Sequence, residues 1–114
     1  MRLAIAAPLA ITCAALTLAL AATPAAAIET INCERDHNPA ERTICASQKL
    51  QILDAKVTEA YADIMLDGRV KGHVKRAVAE SQLSFLKHRD ACGRDVECLS
   101  EVMDRRAIRI NYYR

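Results

Sequence analysis

The sequence predicts an all-α protein: a small, disulfide-stapled antiparallel helical bundle with one short N-terminal helix and three longer ones. Three observations carry that expectation. Apolar residues recur at spacings of three and four, and no run alternates apolar and polar residues for long. Glycine and proline, which interrupt helices, number only three each in 114 residues. Cysteines number five, many for so small a chain.

The first 27 residues stand apart from the rest. Arg2 gives a positive start, residues 3–22 carry no charge, and Pro24 is followed by Ala25 and Ala27. That is the layout of a cleaved secretory signal peptide, with small residues ahead of a cut before Ile28. About 20 apolar residues could also span a bilayer, but a small-residue site directly after a helix-breaking proline favours removal. Cys13 follows "AIT", a poor lipoprotein processing signal, and is expected to leave with the segment. Residues 28–114 then form one domain of 87 residues, expected in the periplasm or outside the cell.

All 14 acidic residues and 15 of the 16 basic ones fall in that domain, giving a net charge of +1. A nucleic-acid binder needs a basic patch that displaces counterions from phosphates, so this class is disfavoured. No polybasic segment offers itself to a membrane surface once the leader is gone.

The helices follow in order. In "NPAERTIC", Asn38 is placed to cap, Pro39 suits the first helical position, and Glu41 stands three residues after the cap, as in a capping box. Ser47 caps a longer helix from Gln48 to about Asp67, with Leu50, Leu53, Val57, Tyr61 and Ile64 on one face. Gly68 and Gly72 bracket a basic connection. A third helix, from about His73 to Ala91, carries Val74, Val78, Phe85 and Leu86, with Ala77 and Ser81 as small packing positions. Gly93 tolerates the left-handed conformation that ends helices. Asp95 caps a fourth, whose face is Leu99, Val102, Met103, Arg106 and Ile110.

Short connections make neighbouring helices antiparallel, which brings Cys33, Cys45, Cys92 and Cys98 to one end of the bundle. An even number of cysteines in a small exported domain reads as disulfides. Three pairings are open, and proximity allows Cys45 with Cys92. The local pairs, Cys33–Cys45 and Cys92–Cys98, are preferred because each closes a short loop beside a helix end.

Chemical readings fare less well. The His88-Arg89-Asp90 triplet suggests a kinase catalytic loop, but position 95 is Asp where that loop needs Asn, and no Gly-rich nucleotide loop exists. His88, Cys92 and Cys98 could ligate a metal, yet export favours oxidised sulfur. Asp54, Glu59, Asp63, Glu101 and Asp104 read as charges on short helices, and Ser81 and Ser84 lack a recognisable base. A non-catalytic protein without metal or cofactor is therefore expected. Arg106 interrupts an apolar face, and Asp54 and Arg89 fall at the same end of the bundle. A buried charge requires a partner, so either Asp54 pairs with Arg89 or Arg106, or these charges are solvated.

Taken in order, Cys33, Ile44-Cys45, Leu50, Leu53-Asp54, Tyr61, Gln82, Arg89-Asp90, Cys92, Cys98-Leu99 and Arg106 form a pattern that resembles the LprI-type lysozyme inhibitor family. Phe85 stands where that family usually has Trp, and Met103 where an aromatic is common. The resemblance implies a small four-cysteine helical domain that occludes a muramidase cleft and so protects the cell wall. Host lysozymes are commonly basic, so an acidic surface would suit such a binder. Asp95, Glu97, Glu101 and Asp104 are the candidate partner-binding residues; the other reading of the same four is helix capping and favourable placement near a helix N-terminus. The other function class is an accessory envelope protein that binds another exported protein without inhibiting lysozyme. Neither reading fixes an oligomeric state or a role for Tyr112 and Tyr113.

Overall fold

The computed structural model describes residues 30–35 and 37–113. The expected signal peptide, its cleavage point and Cys13 lie outside the described residues. Within them the order is α1 (Pro39–Cys45), α2 (Gln48–Leu66), α3 (Gly72–Ala91) and α4 (Val96–Arg109), closed by a 3-10 turn over Ile110–Tyr113. No described helix is long and apolar enough to cross a membrane.

Capping explains the boundaries. Asn38 Oδ1 accepts from Glu41 N at 2.9 Å, with Pro39 at the first helical position. Ser47 Oγ accepts from Leu50 N at 3.3 Å, and Asp95 Oδ1 from Cys98 N at 3.0 Å. Each satisfies one of the amides that a helix start leaves without a partner. Between α3 and α4 the backbone turns through Gly93 at φ 57°, a conformation costly for any residue with a Cβ. Gly72 does not belong to the connection, as expected from sequence, but opens α3; Lys71 precedes it without a side-chain cap.

Packing divides into two layers stacked along the helices. The first, at the cysteine end, joins Ala40 and Ile44 of α1 to Leu50, Leu53 and Val57 of α2, Phe85 of α3, and Leu99 and Met103 of α4. The second joins Tyr61 and Ile64 of α2 to Val78 of α3 and Ile110. The early part of α2 thus meets the late part of α3 and the early part of α4, as an up-down-up path requires. Burying a side chain such as Leu50, Leu99 or Met103 contributes about 1.5–3 kcal/mol. Truncating one of them to alanine would cost about 2–5 kcal/mol, since the cavity adds to the lost burial.

Both disulfides are local, Cys33–Cys45 and Cys92–Cys98, each with Cα atoms 5.6 Å apart. The first pins the N-terminal segment to the end of α1. The second clamps the α3–α4 turn.

Candidate interaction surface

The polar residues expected to hold the bundle together are all buried, but they are wired differently from the sequence expectation. Asp54, 8 % exposed, accepts from Ile31 N at 3.1 Å through Oδ2. It therefore ties the segment before α1 to the middle of the bundle. Burial raises its pKa; the Ile31 hydrogen bond and the nearby Arg89 charge oppose that rise. Arg89 acts on Asp54 through the field and forms its hydrogen bonds elsewhere. Its Nη2 donates to Glu41 Oε1 at 3.0 Å and to Asp90 Oδ1 at 2.8 Å, and its Nε donates to Asp90 Oδ1 at 2.9 Å. Glu41 in turn meets His37 Nδ1 at 2.7 Å through Oε2. Arg106 pairs with neither carboxylate: its Nε donates to Gln82 Oε1 at 3.0 Å.

The reason lies in the rest of the α3 face. Of the expected Val74, Val78, Phe85 and Leu86, Val78 and Phe85 are buried, and the stripe they share is completed by Gln82 and Arg89. Val74 and Leu86 are only partly buried, and Ala77 is exposed. Ser81 is half-buried and donates to Val78 O at 2.8 Å. The true stripe carries Gln82 opposite Arg106 and aims Arg89 at α1, one helix away from the expected partner. Glu41, Gln82, Asp90 and the Ile31 amide are partners that residue patterning missed. Glu41 had looked like a capping-box residue, and its amide does receive the Asn38 cap, but its carboxylate is turned to Arg89 and His37. Gln82 had a legible signal, lying four residues after Val78 and three before Phe85.

The metal reading of His88, Cys92 and Cys98 has no thiolates to offer, because both sulfurs are in one disulfide. His88 is exposed and its Nδ1 donates to Ser84 O at 2.8 Å. Among the described residues, no cluster of three or more His, Cys, Asp and Glu could hold a metal ion.

The acidic candidates divide by role. Asp95 is committed to capping α4. Glu97, Glu101 and Asp104, at spacings of four and three, share one face of α4 and line a shallow groove against α2. Lys49, Leu53, Val96 and Ser100 complete its walls, and its volume is about 720 Å³. Glu101 also forms an i,i+4 ion pair with Arg105. The groove thus presents three carboxylates around an apolar strip in which Val96 remains 48 % exposed.

Comparison with known families gives one result that covers most of the chain. The family described as "Lysozyme inhibitor LprI" matches residues 32–110, a span that begins beside Cys33 and ends where α4 gives way to the terminal turn. Compared with curated proteins and with solved structures, the chain has no match.

Proposed function

Because the chain belongs to the lysozyme inhibitor LprI family, we propose that it is an exported, non-catalytic binding protein that blocks muramidase activity and so protects the cell wall. The observation that carries this reading is the family match over residues 32–110, which takes in all four helices and both disulfides. Two local disulfides in a domain this small fit an oxidising compartment, where such bonds persist. That supports export, and the charge-free stretch at residues 3–22 supports a signal peptide as the route.

The contact surface we assign is the α2–α4 groove with Glu97, Glu101 and Asp104. Its carboxylates complement a basic enzyme, while the protein's net charge adds no long-range attraction of its own. Recognition through this surface is therefore local, and screening by salt should weaken it. The test is direct binding: oxidised protein mixed with a basic lysozyme and analysed by sedimentation velocity at low and physiological salt. A complex of defined stoichiometry that weakens with salt is the expected result. Two independent boundaries at micromolar concentrations would remove the reading and leave an accessory envelope role with a different partner.

A further inference from the structure

The two buried arginines of the core differ in one respect. Arg89, 5 % exposed, has two carboxylates against its guanidinium. Arg106, 8 % exposed, has none among the described residues. Its Nε is held by Gln82, its guanidinium carbon lies 5.7 Å from the Phe85 ring centroid, and its buried Nη2 has no hydrogen-bond partner. Removing a charge from water without a counter-ion is costly, so a buried cation in this state is a place where an anion would stabilise the protein. Burial also lowers the Arg106 pKa from its ordinary value, as expected of a desolvated cation lacking a carboxylate.

Arg106 also lines a second groove, between α3 and α4, of about 500 Å³. His88, Arg105 and Arg109 contribute to the same walls, and no acidic residue does. Glu101 partly neutralises Arg105 from outside the groove, whereas Arg109 has no ion pair among the described residues. With His88 Nδ1 donating to the Ser84 carbonyl, Nε2 of the neutral ring is an acceptor, so His88 shapes the rim while the arginines supply the donors. Phe85, Val102 and Tyr113 supply apolar surface beside the arginines. The volume lies in the range of small-molecule sites.

We propose that the α3–α4 groove binds a small organic carboxylate, with Arg106 as its cationic floor, Arg109 at its rim, and Phe85, Val102 and Tyr113 against the ligand's apolar part. A planar guanidinium matches a carboxylate in a two-pronged geometry, and Nη2 supplies a donor that nothing else uses. Nη2 itself is covered, so engaging it requires the rim to part. Tyr113, 38 % exposed in the last turn, is the residue placed to move, since chain ends are the least constrained part of a helical fold. This site is separate from the acidic α2–α4 groove, and its fate does not depend on the lysozyme reading.

The test uses the oxidised protein, labelled with nitrogen-15, titrated at constant ionic strength with sodium benzoate, sodium phosphate and sodium chloride. Arginine Nε–Hε and backbone resonances are followed. Benzoate should shift the Arg106 Nε–Hε signal saturably, chloride should not, and phosphate should bind at least threefold more weakly. Arg109→Ser should weaken benzoate binding at least threefold with the rest of the spectrum unchanged. Arg106→Met should abolish it; if that variant does not fold, Arg109→Ser carries the test. Shifts that fail to saturate, equal effects of chloride, phosphate binding as tightly as benzoate, or an unaltered Arg109→Ser titration would each overturn the site.

Discussion

Arg89 of α3 donates from Nη2 to Glu41 of α1 at 3.0 Å, joining residues 48 positions apart. Glu41 is the hub of this contact, with Arg89 on one carboxylate oxygen and His37 on the other. The seven-residue α1 is too short to be stable alone. It is held by Ala40 and Ile44 in the core, by the Cys33–Cys45 bond and by this ion pair.

Arg89→Met should therefore destabilise the protein by about 2–3 kcal/mol in chemical denaturation. That is below the 3–5 kcal/mol of a fully buried pair, because the Glu41 side chain is 23 % exposed. A double-mutant cycle with Glu41→Gln should return a coupling of at least about 1 kcal/mol. A coupling near zero would mean that Arg89 acts through packing alone.

Asp54 makes a different prediction. Asp54→Ala leaves the Ile31 amide without its acceptor and should cost about 1–3 kcal/mol. Asp54→Asn keeps an acceptor oxygen and removes a buried charge, so its cost should stay under about 1 kcal/mol by the same argument. The pH dependence follows from the raised folded pKa. The folded protein binds this proton more readily than the unfolded chain, so stability contributed by Asp54 grows as pH falls from the raised value towards 3.8. Wild type should gain stability relative to Asp54→Asn over that window; a flat difference would contradict the buried carboxyl.

The disulfides should stabilise unequally. They span sequence separations of 12 and 6. Chain-entropy arguments assign about 2–3 kcal/mol to each, with more for the longer loop. Paired Cys→Ser variants compared by thermal melting should rank Cys33/Cys45 as the costlier loss. A peptide map should contain only the two local pairs, and a Cys45–Cys92 peptide would contradict the packing around α1.

At the acidic groove, Glu97→Lys and Glu101→Lys together should slow association with a basic lysozyme at least about tenfold at low salt, with much less effect at high salt. Stopped-flow association rates check this. Unchanged rates would remove the α2–α4 groove as the contact surface while leaving inhibition itself untouched.

The helices were legible because their signals are local. Asn38, Ser47 and Asp95 cap where the sequence places them, and Leu50 to Ile64 form the buried face of α2. Helix direction left three cysteine pairings open, and the preference for short loops beside helix ends is the one the structure bears out. The polar wiring was not legible. Arg89 finds Glu41 and Arg106 finds Gln82 because α3 turns its Val78–Arg89 stripe inward. Half of that stripe is Gln82 and Arg89, which a count of apolar residues leaves out. The acidic ridge was legible as a spacing of carboxylates, but its groove depends on Lys49 and Leu53 of α2, which only packing brings beside α4.

The central claim is best tested by titrating the oxidised protein into lysozyme acting on cell-wall substrate. The account predicts a progressive loss of lytic activity that reaches completion near stoichiometric ratio when lysozyme is above the dissociation constant. Full lytic activity at a micromolar excess of folded, disulfide-intact protein would contradict it.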